Sequence, residues 1–519
     1  MTDLHAAAEL VDGALDTGQI GTPVAVRIVA HLEATGATSV SLSESAVQMA
    51  SRWLNDQPMR VVSAISASGR HETKLVLFAN GKTALLSTGI CEPNAAALQI
   101  SVFGNHGIAS WQGESGQTPM AIVATSSRGY APSRTAQKPP YGVLLVAGDH
   151  THQPMYAGVF ASDPRCRLIG LTDAADITSR RRQLNEQFAD ALGIPLLPDM
   201  DAALVRDDVH IVSVCAEPIR RGRIIVRAAR AGKHVYLDKP LAGSLADADS
   251  VVTAVRDAGV FAHMFSSVPT QSVGRLRRIV DSGQLGKFVA VHTDLCFAKG
   301  LAGTATLAGP RTESSAPQRY EVPEAKREMT NVGVYALVAL LSVLRRRVVR
   351  VAATTGNYFF AEHQANDMED FAQLLLEFED GLVATCTTGR TGWQSHPREG
   401  VNRTLLIGTQ ASAVVDAYGS RVEVWSDAAS WSPPPRNPDD PMGMWVAAEG
   451  NPYRASPKMS WLTTPWLSPV TDVTYFLDCL ERGRESDVPA SLAADATEIL
   501  LAAYRSAATG QQVSLPLPR

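Results

Sequence analysis

Residues 231–242 read AGKHVYLDKPLA. Gly232 closes the helical stretch Ile219–Ala231, and Val235–Leu237 is a short apolar run that opens a strand. The same alternation repeats outward. Upstream lie the apolar runs Val143–Ala147, Arg167–Leu171 and Val209–Cys215, with a helical stretch from Thr178 to Leu192 between the second and third. Downstream, a helix from about Leu245 to Ala258 ends at Gly259 and is followed by Val260–Met264. Strands alternating with helices of this length predict βαβ units and a doubly wound parallel sheet.

On either side the texture changes. From about residue 281 longer strand-like runs appear at Phe288–Leu295, Val348–Thr354, Phe371–Phe378 and Leu382–Thr387, with a hairpin turn at Glu379-Asp380-Gly381. They predict an α+β domain with a large, open, mostly antiparallel sheet. The Ser-, Thr-, Gly- and Pro-rich segment 113–140 reads as a linker. Ahead of it, ALDTGQIGTPVAV (14–26) matches IVDSGQLGKFVAV (279–291) at seven of thirteen positions. LFANGKTALLSTG (77–89) matches EFEDGLVATCTTG (377–389), and Phe103-Gly104 matches Ile407-Gly408. Three collinear matches predict a smaller, duplicated sheet module at the N-terminus. The expected division is 1–112 sheet module, 113–140 linker, 141–265 nucleotide domain and 266–519 α+β domain, within the three or four domains that 519 residues suggest.

Composition excludes several classes. With 45% hydrophobic and 19% charged residues the chain is ordinary globular protein rather than disordered or collagenous. A net charge of −5 gives no electrostatic reason to bind nucleic acid or an anionic membrane. No apolar run reaches a membrane span, and the first residues lack the basic and apolar regions of a secretory signal. Cys91, Cys166, Cys215, Cys296, Cys386 and Cys479 form no paired or zinc-like spacing, so reduced core cysteine in a cytoplasmic protein is expected.

The stretch AGKHVYLDKPLA resembles the GKHV…EKP signature of the Gfo/Idh/MocA oxidoreductases, with Asp238 in place of Glu. GQLGKFVAV (283–291), MEDFAQLLLEFEDGLVATC (368–386) and AAYRSAATGQQVSLPL (502–517) resemble later family segments, so the likeness runs over about 142–519. It implies a Rossmann domain followed by an α+β domain whose open sheet mediates homo-oligomer formation, here possible also with a paralogous subunit. It implies a small-molecule substrate and a nicotinamide cofactor. It places Lys239 beside the nicotinamide, where an ammonium can stabilise a developing alkoxide. The family's D-x-G-x-H segment corresponds to Asn331-Val-Gly-Val-Tyr335. Tyr in place of His resembles glucose–fructose oxidoreductase and dimeric dihydrodiol dehydrogenase. A neighbouring ammonium lowers a phenol's pKa, so Lys239 and Tyr335 are the expected acid/base pair.

The phosphate loop departs from the family. Instead of G-x-G-x-x-G the first strand leads into Ala147-Gly148-Asp149-His150-Thr151-His152. Gly148, His150, Thr151 and His152 are candidates for pyrophosphate contact, with the histidines offsetting the missing glycines. Asp173, near the spacing of a ribose-binding carboxylate, favours NAD over NADP. Glu217-Pro218 stands where relatives line the nicotinamide with Thr-Pro-Asn, and Arg221 where they carry His. Arg180–Arg182 reads as a solvated face. Lys326, Arg327 and Glu328 either face a polar substrate beside Asn331 or form a solvated loop. The His-x-His pair shows no third ligand by spacing, so no metal is expected.

The expected function is an NAD-dependent oxidoreductase acting on a secondary alcohol or carbonyl of a sugar-like or cyclitol-like molecule. The alternatives are NAD-assisted glycoside cleavage or elimination without net redox, and a non-catalytic scaffold for a paralogous oxidoreductase. The N-terminal module lacks a Lys-Pro signature. It either packs against the C-terminal sheet as a built-in partner or contacts another chain.

Overall fold

The computed structural model describes residues 22–33, 39–66, 70–79, 81–91, 97–104, 107–112, 140–147, 152–266, 271–298, 327–392, 399–417, 421–426, 444–446, 459–462 and 469–519, with positions 8, 11, 12, 15 and 268 besides and 284 and 366 excepted. The expected linker lies almost wholly outside the described residues.

The first sheet comprises β1 (Pro23–Glu33), β2 (Pro58–Ile65), β3 (His71–Phe78), β4 (Thr83–Cys91), β5 (Ala97–Gly104) and β6 (Gly107–Gln112), with helix α1 (Ser39–Leu54) between β1 and β2. Its order is β2-β3-β4-β1-β5-β6. Side chains alternate across a strand, so β1 sends Val26, Ile28 and Ala30 into a core shared with Trp53 and Leu42 of α1. Arg27, Val29 and His31 take the opposite face, and all three are buried there.

The nucleotide-type domain comprises β7 (Tyr141–Val146), α2 (Gln153–Ser162), β8 (Cys166–Thr172), α3 (Ser179–Leu192), α4 (Met200–Leu204), β9 (Ile211–Val214), α5 (Pro218–Arg230), β10 (His234–Leu237), α6 (Leu245–Ala258) and β11 (Ala262–Met264). Every pairing in its sheet is parallel, in the order β11-β10-β9-β7-β8. Thr178 and Ser244 cap α3 and α6 by accepting from backbone N–H groups of the first turn. The strand order reverses between β7 and β9, which opens a crevice at their C-terminal ends.

The last domain begins with α7 (Gln271–Asp281) and β12 (Phe288–Ala298). A π-helical turn (Met329–Gly333) runs into α8 (Val334–Leu344), followed by β13 (Val348–Gly356), α9 (Ala361–Ala365), β14 (Phe371–Phe378), β15 (Val383–Arg390), β16 (Glu399–Gly408), β17 (Ala411–Asp416), β18 (Arg421–Ser426), β19 (Met444–Val446), β20 (Met459–Leu462), α10 (Pro469–Glu481), α11 (Ala490–Thr509) and β21 (Val513–Ser514). The ten-stranded sheet runs β19-β20-β18-β17-β16-β12-β15-β14-β13-β21, antiparallel except for the central β12–β15 pair. Helix α8 is apolar on almost every side because it is buried on almost every side. Asp472 of α10 ties this domain to the parallel sheet, accepting from Tyr236 Oη at 2.6 Å and meeting His263 Nε2 at 2.9 Å.

The sheet face expected to meet another subunit is covered within the chain. Val29 packs with Ala290, Leu405, Ile407 and Val414, and Ala64, Leu75 and Leu85 pack with Ala352, Leu375 and Val383. All six cysteines are free. Among the described residues no helix is long and apolar enough to cross a membrane.

Candidate functional site

The crevice floor is held by Gln153. Its buried amide donates to the carbonyls of Ala147 and Ser213, both at 3.1 Å, and accepts from Ser213 Oγ at 2.9 Å. This locks the ends of β7 and β9 at the strand reversal. Ala147 leaves β7 with φ +65°, a left-handed turn that a non-glycine residue adopts at some cost. Gly148, His150 and Thr151 lie outside the described residues. His152 is described: it stands at the N-cap of α2 and makes no side-chain cap bond to it. Its Nδ1 meets Asp238 Oδ1 at 2.9 Å instead.

Asp238 follows β10, fully buried. It also accepts from Tyr156 Oη at 2.9 Å and lies 3.7 Å from Arg221. Burial alone would raise its pKa, but His152, Arg221 and Lys239 outweigh that and hold it well below the usual carboxylate range. Arg221 is itself sequestered, donating to the carbonyls of Ala216 (3.0 Å) and Pro240. This guanidinium therefore braces the turn around Lys239.

Lys239 is buried at the junction with the last domain. Its Nζ donates to the Asn331 carbonyl at 2.8 Å and to Asn331 Oδ1. Burial drives its pKa down to about 8, with Asp238 and Glu328 opposing the fall. The ammonium lies 5.2 Å from the centroid of the Tyr335 ring, over its face. The expected Lys–Tyr proximity is present, as a cation–π contact with the ring. Phe265 and Phe297 pack on the same ring at 5.9 and 6.0 Å. Gly333 permits this arrangement: a Cβ there would come within 2.9 Å of Thr388 on β15, so the π-helical turn could not seat.

Behind Asn331 stands Glu328, fully buried. It accepts from Asn331 Nδ2 at 3.1 Å, meets His363 Nε2 at 3.3 Å and pairs with Arg390 at 2.8 Å. Against the pull of burial, His363 and Arg390 hold its pKa low. Glu328 thereby orients the Asn331 amide so that its oxygen faces Lys239.

At the end of β8 the carboxylate expected to hold a ribose has partners within the chain. Asp173 sits at the end of β8, but its carboxylate accepts from Arg220 Nη1 at 2.8 Å and Asn185 Nδ2 at 2.9 Å. Glu217 accepts from Arg181 Nε at 3.0 Å and also holds Arg220. Pro218 opens α5. Arg180 and Arg182 are exposed as expected; Arg181 is buried, because Glu217 faces it across the crevice. Arg327 leaves the Lys239 cluster and stacks on the Tyr504 ring at 5.2 Å, 3.7 Å from Glu369. Lys326 lies outside the described residues.

Sequence reading missed Gln153, the bracing role of Arg221, and the pair His363 and Arg390. The last two stand 35 and 62 positions from Glu328, on another helix and strand, and no local spacing marks them. The arrangement does fit a dinucleotide. A carboxylate ends the second strand, helix α2 presents an N-terminus without a side-chain cap, and a lysine with a low pKa closes the far end. A ribose would share Asp173 with Arg220.

Comparisons with known proteins agree with this fold. Residues 148–266 match the family model described as "Oxidoreductase family, NAD-binding Rossmann fold", and 273–414 match "GFO/IDH/MocA C-terminal domain". Among curated proteins, dTDP-3,4-didehydro-2,6-dideoxy-alpha-D-glucose 3-reductase of Actinomadura kijaniata is 27% identical over 44% of this chain and 63% of its own. Levoglucosan dehydrogenase of Pseudarthrobacter phenanthrenivorans is 26% identical over 42% of this chain and 57% of its own. Both alignments thus span less than two thirds of the relative. GenD2 from gentamicin A biosynthesis, solved in complex with NAD, is 22% identical with a TM-score of 0.51, covering 75% of this chain and all of that one; this likeness speaks to the fold.

Proposed function

Because the chain belongs to the Gfo/Idh/MocA oxidoreductase family, we propose that it is an NAD-dependent dehydrogenase or reductase acting on a secondary alcohol, or its carbonyl, in a sugar-like or cyclitol-like molecule. The observation that carries the reading is Lys239. It is a buried ammonium with a pKa near 8, held at a strand end between the two domains and anchored to Asn331.

Asp173 would hold the adenosine ribose of NAD, and His152 with the α2 N-terminus its pyrophosphate. The nicotinamide, when bound, supplies the hydride acceptor or donor. The chain's own residues manage the rest. In the oxidising direction a neutral Lys239 amine takes the proton of the substrate hydroxyl; in the reducing direction its ammonium returns one. A group with a pKa near 8 can do both close to neutrality. Asn331, fixed by Glu328, holds Nζ in place until a substrate oxygen shares it. The Tyr335 ring supports the ammonium from one side, and its phenol offers the second proton-bearing group. The names of the two curated relatives support a carbohydrate substrate.

Titration of the purified chain with NAD and NADP, followed by a screen of sugars and cyclitols for NADH formation, tests this. NAD binding, with turnover lost in Lys239→Ala and reduced in Tyr335→Phe, is the expected result. Failure to bind either dinucleotide sinks it. Product formed without net NADH would point instead to an elimination that regenerates its own cofactor.

A further inference from the structure

The first sheet and the inner six strands of the last sheet have one wiring: β2-β3-β4-β1-β5-β6 in one, β13-β14-β15-β12-β16-β17 in the other. The agreement extends to single residues. Ala25 pairs with Thr83 and Phe103; in the second sheet Ala290 pairs with Val383 and Ile407. His71 faces Gly89 as Phe371 faces Gly389. The bulge between Pro23 and Ala25 recurs between Phe288 and Ala290, and that between Pro58 and Arg60 recurs between Val348 and Arg350. Both hairpins turn on a left-handed glycine, Gly81 and Gly381. Bulges interrupt a ladder at one residue, and two in register are hard to obtain by convergence on a common sheet type.

The two sheets also pack on each other as copies would. In an isologous two-fold contact, residues near the axis meet their own counterparts. Here Leu75 and its counterpart Leu375 share one buried cluster, and Val62 packs against the same cluster that holds its counterpart Ala352. Gln99, in the amide orientation its neighbours require, accepts from both terminal nitrogens of its counterpart Arg403 at 3.0 and 3.2 Å. This is the symmetry of a homodimer made inside a single chain.

The charges in the contact have diverged, and they name the occupant. Arg27 forms a fully buried ion pair with Asp294. The position matching Arg27 in the last sheet is His292, whose pKa burial and nearby Arg27 hold well below the usual imidazole value. If a second copy of the last sheet took this face, each Asp294 would meet the His292 imidazole in place of the Arg27 guanidinium. Each buried Asp294 would then exchange its direct guanidinium partner for a titratable ring, with Arg403 of its own sheet still 4.0 Å away, and this disfavours that pairing. The N-terminal sheet supplies the guanidinium that pairs directly with Asp294.

The contact reaches the site described above. Tyr358 Oη donates to the Gly81 carbonyl at 2.6 Å, and Phe359, Phe360 and Phe371 pack with Val24, Ala25 and Phe103. Asp370 binds the backbone N–H groups of residues 358–360, and His363, on the same loop and helix, meets Glu328. The N-terminal sheet thus clamps the segment that supports Asn331.

We propose that the N-terminal sheet is a non-catalytic second copy of the last domain's sheet that takes, within the chain, the place of a partner subunit. One polypeptide then amounts to a complete pseudo-dimer with one site, and this face is closed to other chains. The proposal stands independently of the reaction assigned above.

The test uses the full chain carrying Leu75→Cys with Leu375→Cys, oxidised or joined by a short bis-maleimide and run under denaturing conditions. The expected product is an internal link that leaves the mass of one chain. A covalent dimer, or no link at all, overturns the proposal. Should that variant misfold, Arg27→Met serves instead. Removing the direct partner of Asp294 should lower Tm by about 5 °C or more, by the same amount at every protein concentration. A loss that shrinks as concentration rises would mean the pair forms between chains, and no loss would mean it does not form; either result overturns the proposal.

Discussion

Helices α1 and α8 occupy the same place in two sheets of the same wiring. Each lies between the first and second strand, and each ends four residues before that second strand begins, at Leu54 before Pro58 and at Leu344 before Val348. Counted back from those ends, the positions of Asn331 and Tyr335 in the second are Ser41 and Ser45 in the first. Ser45 Oγ donates to the Ser41 carbonyl, so α1 turns its polar side chain onto its own backbone. Asn331 turns outward to Lys239, which a separate parallel sheet delivers. A shared scaffold therefore confers no chemistry by itself. The site exists only where the helix start meets a second domain that brings a buried cation, and where the positions facing that cation are polar.

This contrast can be broken or sharpened by substitution. The largest effect is expected from Lys239→Met, which should lower kcat/KM by about 10²–10⁴-fold, while Ser45→Ala in α1 leaves it unchanged. A steady-state NADH assay on the first substrate found checks both. If the two variants behave alike, the contrast fails. Next comes Phe103→Ala, which empties the aromatic cluster joining the N-terminal sheet to the Tyr358–Phe360 loop. It should cost about 3–4 kcal/mol in denaturant unfolding and also slow turnover, because that loop leads to His363.

Glu328→Gln keeps the shape of the side chain but removes the charge that fixes Asn331. A loss of roughly 10- to 100-fold in kcat/KM, with substrate binding little changed, would place Glu328 as a positioning residue. The pH profile sharpens the same point. Alcohol oxidation needs the neutral amine, so kcat/KM should climb with pH to a plateau above about 8, and the limb should vanish in Lys239→Met. The stability linkage has a definite sign. The folded pKa lies below the unfolded value, so the unfolded chain binds the extra proton between about 8 and 10.5. Stability from this group therefore rises across that window and is lowest below it. The smallest effect belongs to Tyr358→Phe, where loss of one bond to the Gly81 carbonyl should cost about 1 kcal/mol.

What local pattern carries was readable beforehand. The helix Leu245–Ala258 and the strand Phe371–Phe378 fall where periodicity and turn residues put them, because each is set by its own neighbours. Lys239 and Asn331 were legible through a short motif, and the geometry brings them into contact. The buried ion pairs were not. Arg181 looks like one of three helix-surface arginines until Glu217 is folded against it. Arg327 looks like a neighbour of Asn331 until the π-helical turn sends it to Tyr504. In both cases the partner comes from a distant segment, and periodicity holds no information about which face a remote carboxylate will reach.

Arg27 and Asp294 stand 267 residues apart along the chain. At ribosomal speeds of about 5–20 residues per second, the arginine emerges roughly 10–50 seconds before its carboxylate. For that interval the nascent first sheet presents Val29, Leu75, Leu85 and an unmatched guanidinium to solvent, with nothing yet translated to receive them. Slowing elongation between these two residues should lengthen that exposure, so chaperone demand during synthesis follows from the order in which the two halves are made.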